Sequence, residues 1–247
     1  MLFTKLLLLA ILFKINKSDI TAWNNTKNNY EQHTANNYYS AKQNSFTQYQ
    51  SFQKYDAGKN GESQIYERLK YLNSEGARFL FNIYLPKENG ETTEIDVIMI
   101  CAKGIFVFES KNYGGWIFGS QNQMYWTQTL RAKHGESQKI KFLNPIIQNN
   151  GHIKALRRMI DADIPVYSVV AFSDRCILKN VPRNIPHGFV VNYSELKSVV
   201  VSVLRNVSAV SLHSEKIYEM YRRLYLYTQV SDETKKMHEE NVSRKRR

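Results

Sequence analysis

Apolar residues recur at helical spacing at Ile65, Leu69 and Leu72, just after a Gly-Lys-Asn-Gly stretch that begins at Gly58. That pattern predicts a first helix over residues 60–73, ended by Asn73, Ser74 and Gly76. Three strand-like runs follow. Residues 78–85 alternate aromatic and aliphatic side chains and stop at Pro86; a turn at Asn89 and Gly90 leads into residues 94–101; Gly104 opens residues 105–111. Links this short imply an antiparallel meander. Ile105, Phe106, Val107 and Phe108 are apolar at every position, the pattern of a central strand covered on both faces. The glycine- and aromatic-rich residues 113–126 predict a further hairpin at the sheet edge.

Asn144-Pro145 is a helix start, with Asn as the cap and Pro at the first helical position, and Ile146, Ile153, Leu156 and Ile160 mark its apolar face. Residues 165–172 then read as a fourth strand, made β-favouring by Val166, Val169 and Val170. A short strand at 188–191 and helices from Ser194 and Ser211 complete the pattern, and no internal repeat interrupts it. The order α-β-β-β-α-β implies an α/β fold: a mixed sheet flanked by helices, the strand after the second helix joining in parallel by a crossover. The expected division is a short apolar segment and polar linker over 1–57, one folded domain over 58–228, and a basic tail over 229–247.

Composition sharpens this picture. A hydrophobic content of 43% over 247 residues supplies one real core, whereas residues 24–54 are rich in Asn, Gln, Ser, Thr and Tyr and read as a poorly ordered linker. Lys and Arg number 34 against 22 Asp and Glu, a formal charge of +12 that suits a polyanionic partner, nucleic acid or an anionic membrane surface, without choosing between them. Part of the excess is the terminal run Arg244, Lys245, Arg246, Arg247, read as solvated. Two cysteines, Cys101 and Cys176, each in an apolar stretch, give no support to a disulfide framework, offer no zinc-site spacing and favour a reducing, cytoplasmic compartment. Residues 6–13 form an apolar run between Lys5 and Lys14, too short to span a bilayer, which needs about 20 residues. Three readings of it stay open: an interfacial or docking helix, a weak membrane anchor, and a cleaved signal.

Chemistry concentrates where the apolar third strand ends. Residues two apart on a strand share a face, so Glu109 and Lys111 project together at the exit of a buried strand. Asp96, in the preceding strand, falls beside Glu109 across the ladder, close enough for the two carboxylates to share a hard divalent cation. Two like charges so placed repel unless a cation or a nearby lysine compensates. Lys111 would position a water or stabilise transition-state charge; acting as a general base would require its pKa to fall well below about 10.4. A lone Glu-x-Lys pair is also what an ordinary solvated strand end carries, so the weight falls on features occurring in order. These are Gly61-Glu62 opening a helix, Glu94-Ile95-Asp96-Val97-Ile98, Gly104-Ile105-Phe106-Val107-Phe108-Glu109-Ser110-Lys111-Asn112-Tyr113, and Asn144-Pro145-Ile146-Ile147-Gln148.

In combination these stretches resemble the NERD (nuclease-related) domain, a branch of the PD-(D/E)XK nuclease-like superfamily, over roughly residues 58–172. The resemblance implies a restriction-endonuclease-like core and Mg²⁺-dependent DNA cleavage, Mn²⁺ serving as a substitute. It makes Asp96 and Glu109 metal ligands and Lys111 the catalytic lysine, with Glu62 and Gln148 as supporting members. Ile95 stands at the superfamily's nominal Pro. Glu62 reads equally as a first-turn carboxylate favoured by the helix dipole, and Gln148 as an ordinary first-turn polar residue. Arg131, Lys133, Lys139 and Lys141, in the expected loop before the second helix, are candidates to grip nucleic-acid phosphates, DNA first and RNA second, against the plain reading of a solvated loop. Trp116, Tyr125 and Trp126 read as hairpin packing ahead of base stacking, and His134 and His152 receive no role. The alternative function is a catalytically silent nucleic-acid-binding or membrane-tethered module on the same fold.

Overall fold

Helix α1, Gly61–Leu69, buries Ile65, Tyr66 and Leu69 on one face and tightens into a 3-10 turn, Lys70–Glu75. Gly76 ends it at φ 91°, a left-handed value that glycine adopts without a Cβ penalty. The computed structural model describes residues 61–131, 135–205 and 211–245. The apolar N-terminal segment and linker expected over 1–57, with Lys133 and His134, lie outside the described residues.

The three expected strands follow as β1 (Arg78–Pro86), β2 (Thr92–Cys101) and β3 (Gly104–Lys111), an antiparallel meander. Val97 pairs with Phe108 and Met99 with Phe106, placing these four on one face beneath α1. Strand β7 (Val166–Phe172) returns parallel to β3, with Glu109 opposite Val170 and Lys111 opposite Phe172. Beyond it lie β10 (Gly188–Asn192), again parallel, and the two-residue β9 (Asn184–Ile185), giving the order β1-β2-β3-β7-β10-β9. The crossover between β3 and β7 contains α2 (Pro145–Arg157), which packs on β2, β3 and β7.

One face of this mixed sheet lies under α1 and α3 (Leu196–Leu204), closed by Phe79, Phe106, Phe108, Leu196 and Val200. Helix α4 (Ser214–Tyr225) packs on β1 and β2 through buried Ile217, Met220, Tyr221 and Leu224. The expected α/β class, a mixed sheet flanked by helices, is what the chain adopts.

Two expectations change. The aromatic hairpin does not extend the main sheet but starts a second one, ordered β6-β5-β4-β8, from β4 (Gly115–Phe118), β5 (Tyr125–Arg131), β6 (Ser137–Leu143) and β8 (Cys176–Leu178). Its inner side chains Ile117 and Trp126 close a second core with Ile146, Val170 and Phe172, the Trp126 and Phe172 rings lying parallel at 6.2 Å between centroids. Three of the four basic residues expected in a loop before α2 stand on strands instead: Arg131 ends β5, and Lys139 and Lys141 lie on β6. Only Ile140 and Phe142 carry the apolar alternation of β6, too little to announce a strand among charged neighbours.

Residues at the chain's end form α5 (Asp232–Lys245), where His238 meets β2: its Nδ1 lies 3.1 Å from Thr92 Oγ1. Among the described residues no helix is long and apolar enough to cross a membrane. Cys101 and Cys176 are free thiols, both buried.

Candidate active site

Asp96 stands where two ladders lapse. On the β1 side the register runs Phe81 to Val97 and Ile83 to Ile95, and no pair forms between Asn82 and Asp96, because Asn82 turns to φ 50°. Asn is among the few non-glycine residues that tolerate this left-handed backbone. On the β3 side the ladder stops at the pair Val97–Phe108. One step further, where Asp96 would face Glu109, the Ser110 backbone N–H donates instead to Asp96 Oδ2 at 2.7 Å. The carboxylate thus replaces a strand carbonyl and is held between β2 and β3.

Alternation along β3 turns Ser110 toward α1 and Glu109 and Lys111 toward α2. The Ser110 hydroxyl lies 2.8 Å from the Tyr193 hydroxyl, at the spot where α1 begins. Gly61 allows that approach: a Cβ there would stand 1.9 Å from Ser110 Oγ. Glu62 follows immediately, with its Oε2 buried.

Glu109 is 1% exposed and engages both oxygens. Oε1 accepts from Lys111 Nζ, and Oε2 faces His152 Nε2 at 3.0 Å. The other ring nitrogen of His152 lies 2.8 Å from Thr93 Oγ1. Lys111 Nζ also donates to Gln148 Oε1 at 3.1 Å, so Gln148 and His152, four residues apart on one face of α2, clasp the Glu109–Lys111 pair from above. Asn149, between them, ties α2 to the sheet by donating to the Val107 carbonyl at 3.0 Å and to Ser168 Oγ at 2.8 Å.

The helix is aimed by its cap. Asn144 is fully buried; its Oδ1 accepts from Ile146 N at 2.9 Å, while its Nδ2 donates to the carbonyls of Ser120, Gln121 and Gln123.

Electrostatics divide the groups. Burial raises the proton affinity of Asp96 well above the usual carboxylate range, and the charges of Glu109 and Glu62 raise it further. Burial alone would do the same to Glu109, but Lys111 and His152 hold it below the usual value. Burial disfavours the Lys111 ammonium, yet Glu109 and then Asp96 keep it above the ordinary lysine value. The charged form of Lys111 is therefore the favoured one here.

Of the residues expected to act together, Glu109, Lys111 and Gln148 are joined by hydrogen bonds, and Asp96 senses Glu109 and Glu62 through charge. Arg131, Lys139 and Lys141 stand on the second sheet. His152 escaped the sequence reading; its spacing of four from Gln148 on the same predicted helix is the signal that would have found it.

The family model for the nuclease-related domain, NERD, matches residues 57–173, and an uncharacterised protein of Bacillus anthracis is 33% identical over 181 residues, 73% of this chain and 81% of that protein. The chain belongs to the nuclease-related domain family. No solved structure matches it. The matched span of the nuclease-related domain runs from just before α1 to just after β7, so it contains α1, the meander, the second sheet except β8, α2 and β7. Asp96, Glu109, Lys111 and Gln148 all fall inside it, and α3, α4 and α5 lie beyond it.

Whether these residues suit a hard cation turns on Asp96. Its proton affinity is raised first by burial and then by the charges of Glu109 and Glu62, a repulsion that a divalent ion would offset, and all three carboxylates offer the oxygen donors that Mg²⁺ prefers. Among the described residues no group of three or more His, Cys, Asp or Glu is already arranged to hold a metal. Donor chemistry fits.

Proposed function

We propose that this nuclease-related domain is a metal-dependent nuclease that hydrolyses DNA phosphodiester bonds with Mg²⁺, Mn²⁺ serving as a substitute. The observation that carries the reading is the buried Glu109–Lys111–Gln148 network with Asp96 held beside it by Ser110 N–H. Asp96, Glu109 and Glu62 would hold the ion, and the ion would lower the pKa of an attacking water and neutralise charge on the phosphate.

The chain's own groups account for the rest. Lys111, kept protonated by Glu109, presents a fixed positive charge to a phosphate oxygen as negative charge develops. Gln148 restricts where that ammonium points, and its amide is a donor for a phosphate or a water nearby. His152 and Thr93 hold Glu109 from behind, so its second oxygen keeps one orientation.

The test is plasmid nicking with purified protein, Mg²⁺ or Mn²⁺ against chelator. Asp96→Ala and Lys111→Ala are expected to lose at least about 100-fold, as removal of one charge-stabilising group does. Folded variants that cleave like the wild type would remove the reading.

The closed network also favours a second reading, a silent nucleic-acid-binding module, because both Glu109 oxygens already have protein partners. Tight, salt-sensitive DNA binding with no metal dependence and no cleavage would select it.

A further inference from the structure

Trp116 is 48% exposed and Tyr125 53%, a rare state for large aromatics, and both belong to the outer face of the second sheet. The pairing of β4, β5 and β6 orders that face. Trp116 stands opposite Thr129 and Phe118 opposite Thr127, and Tyr125 comes next on β5 itself. The three aromatics therefore follow one another along the strand direction in equal steps of two residues, about 6.7 Å each.

On the other flank of β5, Lys139 stands opposite Thr129 and Lys141 opposite Thr127, and Arg131 lies one further step along β5 itself. Trp116 and Phe118 on β4 thus run beside Lys139 and Lys141 on β6, two strand spacings or about 9.6 Å apart, with Tyr125 and Arg131 at opposite ends of β5 between them; the Trp116 and Phe118 rings meet edge to face at 6.5 Å between centroids. Lys179 adds charge at the Trp116 end, its Nζ 5.2 Å from the ring centroid. The strands β4, β5, β6 and β8 contain no Asp or Glu.

We infer that this outer face is a docking platform for single-stranded nucleic acid, bases stacking on Trp116, Phe118 and Tyr125 while the backbone runs along Arg131, Lys139 and Lys141. A duplex keeps its base faces stacked internally and cannot use exposed rings, whereas a single strand offers both ring faces and phosphates. The positive charge of the face suits a polyanion. Trp116 follows Lys111 by five residues, so their Cα atoms lie at most about 18 Å apart, and a strand held on the platform is held near the candidate active site. The inference deepens the nuclease reading by naming the form of substrate, and it rests on nucleic acid being that substrate.

Binding is measured with the full chain in chelator, so that cleavage and metal play no part. Fluorescence anisotropy compares labelled oligo-dT, oligo-U and a mixed-sequence duplex across a salt series, for wild type, Trp116→Ala/Tyr125→Ala and Lys139→Glu/Lys141→Glu. The wild type is expected to bind single strands at least about tenfold more tightly than duplex. The aromatic pair should weaken single-strand binding by about tenfold or more, base stacking being worth roughly 1–3 kcal/mol per base, and leave the salt slope unchanged. The lysine pair should flatten that slope by roughly 1.4, about 0.7 for each lost phosphate contact. The dT and U arms tell whether DNA or RNA is preferred. Equal binding of duplex and single strand, an aromatic variant that binds like wild type, or a dimer in light scattering that falls apart in the aromatic variant would each overturn the inference. A protein that binds as described yet never cleaves would defeat the nuclease reading and leave the platform standing.

Discussion

The imidazole of His152 bridges Glu109 and Thr93, with Nε2 3.0 Å from the carboxylate and Nδ1 2.8 Å from the hydroxyl. An ionised carboxylate only accepts, so the proton of that contact sits on Nε2. His152→Ala would leave a buried carboxylate oxygen and a buried hydroxyl without these partners. The expected cost is about 2–4 kcal/mol, a drop of roughly 10 °C in Tm for a chain of this size. Thermal unfolding at neutral pH checks it; a change within about 2 °C would mean the bridge contributes nothing to folding.

What could be read in advance was local. The alternation in residues 78–111 and the Asn144-Pro145 start each depend on neighbours in sequence, and both appear as strands and a capped helix. What escaped is long-range. Nothing in Tyr113 to Trp126 says whether that hairpin joins β1 or founds its own sheet, because the choice is made by β8 and by Phe172, some fifty residues away. The site divides the same way. Asp96, Glu109 and Lys111 are legible from strand period, whereas the turn at Asn82 that opens the ladder beside Asp96, and the closure of His152 onto Glu109, require the folded layers.

Asn144 does two jobs that Asp usually shares with Asn only in part. Asn144→Ala loses the α2 cap and three bonds to the Ser120, Gln121 and Gln123 carbonyls. The expected loss is roughly 3 kcal/mol, about 6–12 °C. Asn144→Asp keeps the cap acceptor but turns a buried charge onto those carbonyls, so it should be worse than Ala although Asp is ordinarily an equal cap. Denaturant unfolding of the two variants decides; Asp matching wild type would show that the loop bonds are immaterial.

Gly61 is needed for closeness, not for a special backbone angle. A Cβ would meet Ser110 Oγ at 1.9 Å and the Tyr193 hydroxyl at 2.5 Å, so Gly61→Ala must displace these hydroxyls or the start of α1, which carries Glu62. Overpacking of this kind costs about 1–3 kcal/mol. Ser110→Ala removes the nearest obstacle, so the double variant should be less destabilised than the two single losses added. Additive losses would mean that the helix moves away for some other reason.

Asp96 should make the protein less stable at neutral pH than it could be. Its proton affinity in the native state is raised by burial and by Glu109 and Glu62, so the folded form binds a proton that the unfolded form, titrating near about 3.9, has released. Stability from this group is complete below about pH 4 and is lost as pH rises through the raised native value. Asp96→Asn stays neutral and can still accept from Ser110 N–H through its amide oxygen. The Tm difference between variant and wild type should therefore be small near pH 4 and grow as pH rises through the raised native value. Millimolar Mg²⁺ should then raise the wild type and not the variant, since an ion that binds only the native state stabilises it by mass action. A difference that stays flat with pH, or a variant that is the less stable of the two at neutral pH, would show that burial and its neighbours do not raise the proton affinity of Asp96 in the native state.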